Sequence, residues 1–139
     1  MMRQSFAVAA ATVLAATVSV AGCGSDSGSS GKDTVDVTAD DKSCEVEKTR
    51  FAPGSVTFSV QNAGSDITEV YVYGEKDGDF SQIVNEVENI GPGTGRDMTV
   101  DLSAGRYEVA CKPGMVGDGI RTQITVKPGA DHSTHEGAQ

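Results

Sequence analysis

Apolar and polar residues alternate in short runs through the middle of the chain, a pattern typical of β-strands with one buried face. Gly, Pro, Asn and Asp residues separate the runs at intervals of about ten residues. The apolar positions of the runs are Val35 and Val37; Val56, Phe58 and Val60; Val70 and Val72; Met98, Val100 and Leu102; Tyr107, Val109 and Cys111; and Ile120, Ile124 and Val126. About six or seven short strands at this spacing predict an all-β protein built as a β-sandwich.

Other parts of the chain depart from this pattern. The segment Phe80–Ile90 fits either a further strand or an excursion from the sheet. Residues 23–34 are rich in Gly and Ser, as flexible tethers are, and residues 128–139 have the composition of a disordered tail. We therefore place the folded domain at residues 35–127.

Residues 1–22 have the composition of an export signal. Arg3 is their only charged residue, and a run of apolar and small residues extends from Phe6 to Val20. The segment ends in Val20-Ala21-Gly22-Cys23, which resembles the bacterial lipobox, whose cysteine receives a diacylglycerol and becomes the new N-terminus. We expect Cys23 to anchor the chain to the outer face of the cell membrane, on the periplasmic side if the cell has two membranes. The alternative is an ordinary export signal with an incidental cysteine.

Charge and composition exclude several functions. The chain has 20 Asp and Glu residues against 11 Lys and Arg, and a net charge of −9. Such a chain lacks the basic surface that binding to nucleic acid, or docking of a basic patch on anionic lipid, requires. The only histidines, His132 and His135, lie in the tail, so no Ser–His–Asp triad can be placed in the folded domain. We therefore do not expect an enzyme.

Cys44 and Cys111 are the cysteines of the folded domain, in an export compartment that permits disulfides. Strand alternation places Cys111 on the inward face, at the end of the penultimate strand. Blue-copper proteins present a cysteine in this way, followed by a loop with a methionine such as Met115, but their site also needs two histidines. Two alternatives remain open for the pair: a thiolate metal site, or a disulfide that stabilises the domain by roughly 4 kcal/mol.

Three segments of the chain resemble the EfeO-type cupredoxin-like domain. They are Asp40–Val46, Glu86–Gly93 and Cys111–Arg121, and the resemblance covers residues 35–126. It implies a cupredoxin-like Greek-key β-sandwich in an extracytoplasmic protein. In that family the domain commonly precedes an imelysin-like (M75) domain in a ferrous-iron uptake system, together with a permease and a haem peroxidase. We expect this chain to act as the cupredoxin-like domain without the imelysin-like domain.

The resemblance also implies a copper or iron ion bound by cysteine and acidic residues. Thiolate and thioether ligands favour Cu(I), whereas carboxylates favour harder ions. Glu86 and Glu88 equally fit a solvated strand edge, and Glu69 fits a polar face that it shares with Tyr71 and Tyr73. The candidate ligands are Cys44, Cys111, Glu69, Glu86, Glu88, Met115 and Asp118.

These observations predict a lipid-anchored metal carrier, or an accessory to metal uptake that acts with metal-uptake membrane proteins. The first alternative is an interaction domain that binds no metal and is stapled by a Cys44–Cys111 disulfide. The second is copper-dependent oxidation of ferrous iron.

Overall fold

Two β-sheets packed face to face form the domain in the computed structural model, which describes residues 33–129. The first sheet has the strand order β2-β1-β4-β7 and the second has the order β3-β9-β8-β5-β6. The described residues contain no helix, and hence none long and apolar enough to cross a membrane. The all-β sandwich predicted from alternation is confirmed. The strands are β1 (Asp33–Ala39), β2 (Cys44–Val46), β3 (Arg50–Phe51), β4 (Gly54–Asn62), β5 (Thr68–Lys76), β6 (Asp79–Ile90), β7 (Gly95–Leu102), β8 (Gly105–Pro113) and β9 (Ile120–Val126).

The core lies between the sheets and consists mainly of the alternating aliphatic residues. Phe51 of β3 and Phe58 of β4 add an edge-to-face aromatic pair across the sheets, with ring centroids 6.0 Å apart. Burial of one face of each strand against the other sheet provides the main driving force for this fold. The buried cluster is Val35, Val37, Ala39, Cys44, Phe51, Val56, Phe58, Val60, Val70, Val72, Ile90, Met98, Val100, Leu102, Tyr107, Val109, Cys111, Ile124 and Val126.

The segment between β1 and β4 crosses from one sheet to the other. Strands β1 and β4 pair in parallel, so the chain must return to the start of β4 by a crossover. Within that crossover β2 pairs with β1 in the first sheet, and β3 pairs in parallel with β9 in the second. This path brings Cys44 of β2 next to the second sheet.

The segment whose structure the sequence leaves open forms β6, a strand of 12 residues at the edge of the second sheet. Its pairing with β5 shifts register three times, between Thr68 and Val70, between Val72 and Tyr73, and between Gly74 and Glu75. Each such shift interrupts the alternation of inward and outward side chains. The strand therefore lacks the period-two pattern by which the others are recognised.

Both ends of the described chain leave the sandwich at the same end, which we call the terminal end. Strand β1 begins beside the start of β4, and β9 ends beside the start of β8. The short turn between β7 and β8 also lies there, because the end of β7 pairs with the start of β4. The opposite end, which we call the loop end, carries loops 40–43, 63–67, 91–94 and 114–119. The predicted export signal, Cys23 and most of the tail, including His132 and His135, lie outside the described residues.

Candidate functional site

A disulfide between Cys44 of β2 and Cys111 of β8 links the two sheets near the loop end. Its S–S distance is 2.07 Å, and the Cα atoms are 5.5 Å apart. Cys111 is fully buried, and Cys44 keeps 5% of its surface exposed. The Thr122 hydroxyl of β9 donates a hydrogen bond of 2.5 Å to the Cys44 carbonyl, which is a second link between β2 and the other sheet. The two sulfur atoms are therefore bonded to each other.

An open cavity of about 630 Å³ lies beside Cys44. It is bounded by β1 and β2 on one side and by Thr122 on the other. The charged side chains of its lining, Asp36, Glu45 and Glu47, are all carboxylates and all exposed. The Glu47 carboxylate accepts a hydrogen bond of 3.4 Å from the Asp36 amide. The approach to Cys44 is thus negatively charged.

The loop after β8 contains the candidate ligands Met115 and Asp118. Met115 is half-buried in a left-handed backbone conformation with φ of 57°, and its amide donates to the Lys112 carbonyl at 2.9 Å. Asp118 is exposed, and its backbone carbonyl accepts a hydrogen bond of 3.0 Å from Arg121 Nε. The amide of the residue before Met115 bonds to the Ile67 carbonyl, which ties this loop to the loop between β4 and β5.

The three glutamate candidates meet around Tyr71 on the outer face of the five-stranded sheet. The Tyr71 hydroxyl donates a hydrogen bond of 3.2 Å to Glu88 Oε1. Glu86 lies opposite Tyr71 in the β5–β6 pairing. Glu69 is 7% exposed, and its carboxylate lies 3.6 Å from Lys112 Nζ. Because Val70 rather than Glu69 faces the core beside Cys111, the sheet separates these carboxylates from the disulfide.

Two cations complete this group on the outer face. The rings of Tyr71 and Tyr73 stack with their centroids 5.5 Å apart, and Lys112 Nζ lies 3.9 Å from the Tyr71 centroid. The Arg121 guanidinium carbon lies 4.4 Å from the Tyr73 centroid, and its Nη1 is 3.0 Å from the Glu108 carboxylate. We call this group the tyrosine cluster: Glu69, Tyr71, Tyr73, Glu86, Glu88, Glu108, Lys112 and Arg121.

Reasoning from the sequence did not single out Lys112 and Arg121. Both lie in the segment that resembles the EfeO-type domain, Cys111–Arg121. The alternation that turns Cys111 inward turns Lys112 outward, to the side of Tyr71 and Tyr73. This alternation was the sequence signal that could have identified Lys112. The pairing of the strands was needed to place Lys112 and Arg121 on the tyrosine rings.

The environment of the tyrosine cluster fixes the charge of its central groups at neutral pH. Burial of the Tyr71 phenol raises its pKa, and a hydrogen bond to Glu86 and the charge of Glu69 raise it further. Burial alone would lower the pKa of Lys112, but its contacts with Tyr73 and Glu69 outweigh burial, and the pKa is raised. The cluster therefore holds a neutral phenol and a charged ammonium among its carboxylates.

The described residues do not fit the blue-copper site that the cysteine position suggests. Such a site binds copper through two imidazoles and a thiolate, with a weak axial methionine. Residues 33–129 contain no histidine, and the sulfur of Cys111 is bonded to Cys44. In the same residues no group of three or more His, Cys, Asp or Glu side chains is arranged to hold a metal ion. The ammonium of Lys112 beside Glu69 also opposes a metal cation at the tyrosine cluster.

Three solved structures are similar to this chain, and the first of them supports this architecture. The reduced auracyanin of the photosynthetic bacterium Roseiflexus castenholzii aligns with a TM-score of 0.52 at 16% identity, over 68% of this chain and 97% of auracyanin. A multicopper oxidase aligns at 0.47 and 15% identity, over 68% of this chain and 42% of the oxidase. Auracyanin A, a blue copper protein of Chloroflexus aurantiacus, aligns at 0.45 and 18% identity, over 68% of this chain and 99% of auracyanin A.

A match to a sequence family assigns the chain more directly than the structural similarities do. No match was found among curated proteins. The family described as the cupredoxin-like domain matches residues 7–126, which is most of the chain, and the first auracyanin shares the fold. The chain therefore belongs to the cupredoxin-like domain family.

Proposed function

We propose that this chain is an exported interaction domain, held at the outer face of the cell membrane by lipidated Cys23 and braced by its disulfide. One observation carries the proposal. The cysteine at the end of β8, in the position of a blue-copper thiolate, has its sulfur bonded to Cys44. A sulfur in a disulfide is not a thiolate ligand, so the oxidised domain keeps the fold without that metal ligand.

The tyrosine cluster is the surface that supports a role in binding. Tyrosine and arginine are enriched where proteins contact each other, because they offer large contact areas and polar atoms. Here Lys112 and Arg121 hold the rings of Tyr71 and Tyr73 in place before any partner arrives. Tyr73 is only 8% exposed, so a partner would contact the half-buried Tyr71 and the polar side chains around it. Side chains ordered in advance lose less entropy on binding. The proposed partner is a metal-uptake membrane protein, the class that the sequence predicts.

Native mass spectrometry of the full chain carrying Cys23→Ser tests the disulfide-braced state. We expect the oxidised chain to be lighter than its reduced form by two hydrogen atoms and to retain neither copper nor iron after buffer exchange. A stoichiometric metal ion in the oxidised chain would contradict the proposal.

Site-specific crosslinking in membranes of the source cell tests the binding role. A photoreactive amino acid replaces the exposed Gln123 of β9, whose partner in the β8–β9 pairing is Glu108 of the tyrosine cluster. The matched control carries the same amino acid at the exposed Asp101 of β7, in the other sheet. We expect a discrete adduct from position 123 and none from position 101. Equal adducts from both positions, or none from either, would count against this surface.

The second candidate function is a Cu(I) carrier in the reduced state. Reduction of the disulfide leaves two thiols at the place where the sulfur atoms now touch, and soft thiolate ligands select Cu(I). We expect the reduced chain to retain one Cu(I) ion and Cys111→Ser to lose it. A reduced chain without copper would remove this candidate. The EfeO-type assignment and the roles in iron uptake and ferrous-iron oxidation stay predictions from the sequence.

A further inference from the structure

We propose that the acidic cavity beside Cys44 admits a small thiol reductant, which attacks the sulfur of Cys44 and not that of Cys111. The carboxylates of the cavity make the site selective for cationic thiols over anionic ones. This inference goes beyond the binding role and requires no metal.

The two sulfur atoms differ in access. Cys111 is fully buried in β8, which is paired on both sides, by β5 and by β9. Cys44 lines the cavity and retains 5% exposure. Its strand β2 has three residues and pairs only with β1, at the edge of the first sheet. A small local displacement of β2 therefore exposes Cys44, whereas exposure of Cys111 requires the second sheet to open.

The reaction is a thiol–disulfide exchange in two steps. A thiolate attacks Cys44 Sγ, a new S–S bond forms to that atom, and the Cys44–Cys111 bond breaks. The electron pair of the broken bond leaves on Cys111 Sγ, which then takes a proton. A second thiolate attacks the bound thiol, releases it as a disulfide and frees Cys44. In total, two reductant thiols become one disulfide and the protein gains two thiols.

The negative charge of the cavity changes the rates at which differently charged thiolates reach Cys44. Asp36, Glu45 and Glu47 are exposed carboxylates around the approach to Cys44. Their field repels a thiolate that carries a further negative charge and attracts one whose ammonium offsets the charge on sulfur. Clefts lined by one sign of charge change encounter rates about tenfold or more, and salt screens the effect.

Three small thiols applied to the full chain carrying Cys23→Ser test the inference. They are cysteamine, 2-mercaptoethanol and 2-mercaptoethanesulfonate, compared at equal thiolate concentration because their own pKa values differ. At low salt we expect cysteamine to react at least about tenfold faster than the sulfonate, with mercaptoethanol between them. Acid quenching, alkylation and peptide mass mapping at early times should find the reductant on Cys44 and the alkyl group on Cys111.

Charge-neutral variants provide the controls. The double variant Glu45→Gln and Glu47→Gln should reduce the ratio between cysteamine and the sulfonate, as should high salt. Asp101→Asn, at the far edge of the same sheet, removes one exposed carboxylate and should leave the ratio unchanged. Three results would overturn the inference: an adduct on Cys111, equal rates for the three thiols, or a rate that stops rising with thiol concentration because access requires unfolding.

Discussion

Reduction of the Cys44–Cys111 disulfide should lower the free energy of unfolding by about 4 kcal/mol. The bond joins residues separated by 67 positions. For a loop of that length the chain-entropy relation gives about 4.4 kcal/mol at 25 °C, because the crosslink restricts the unfolded chain. A domain of this size has a free energy of unfolding of about 5–15 kcal/mol, so this one bond contributes a large part of its stability. The corresponding fall in Tm is roughly 15–30 °C.

Urea denaturation of the chain carrying Cys23→Ser, followed by circular dichroism with and without reductant, measures this difference. Thr122→Val is the matched control, since it removes the hydrogen bond to the Cys44 carbonyl and keeps the disulfide. We expect it to lower stability by about 1 kcal/mol in both redox states. If the oxidised and reduced chains differ by less than about 1 kcal/mol, the crosslink does not restrict the unfolded chain and the reasoning fails.

Further substitutions probe the outer face, a buried amide and the loop after β8. The pKa of Tyr71 is higher in the folded chain than in the unfolded chain, whose phenol has the ordinary pKa of 10.0. The contribution of Tyr71 to stability is therefore fully present below that pH and declines above it. Tyr71→Phe should make this alkaline decline in Tm shallower, and an unchanged slope would contradict the raised pKa. Asn62→Ala should lower the free energy of unfolding in urea by about 2–3 kcal/mol, because the buried amide donates to two backbone carbonyls, each at 2.8 Å. Gly119→Ala should lower Tm more than Gly117→Ala: both glycines have φ near +75°, but only at Gly119 would the new Cβ come within 2.7 Å of the Cys111 carbonyl oxygen. Equal effects of the two alanines would show that this clash relaxes at no cost.

The regular strands of the sandwich could be predicted because one face of each is buried and the other is not. From Val56 to Val60 in β4 and from Met98 to Leu102 in β7, every second residue is apolar and buried, as the sequence indicates. The short strands β2 and β3 have three and two residues, too few to show any period. Strand β6 is long, but it lies at an edge, and its register shifts against β5 break the pattern. The strands that the sequence does not predict are thus those that are very short, or that lie at an edge with an irregular register.

The candidate site could be predicted only in part, for a related reason. Alternation places Cys111 inward and Glu69 on the side of Tyr71, and both are found there. Whether Cys111 meets Cys44 depends on the crossover between sheets, which no local pattern encodes. The approach of Glu86 to Tyr71 likewise depends on the register of β5 and β6.

Because both ends of the described chain leave the sandwich at the terminal end, a support attached through either of them lies on the terminal side of the domain. Strand β4 has nine residues, so at about 3.3 Å per residue the loop end lies about 30 Å from the terminal end. A tether that enters before β1 therefore directs loops 40–43, 63–67, 91–94 and 114–119 away from its attachment point. A tag after β9 attaches at the same end. Immobilised on a biosensor through either terminus, the domain would present the same loops to the flowing solution and leave the tyrosine cluster along its side.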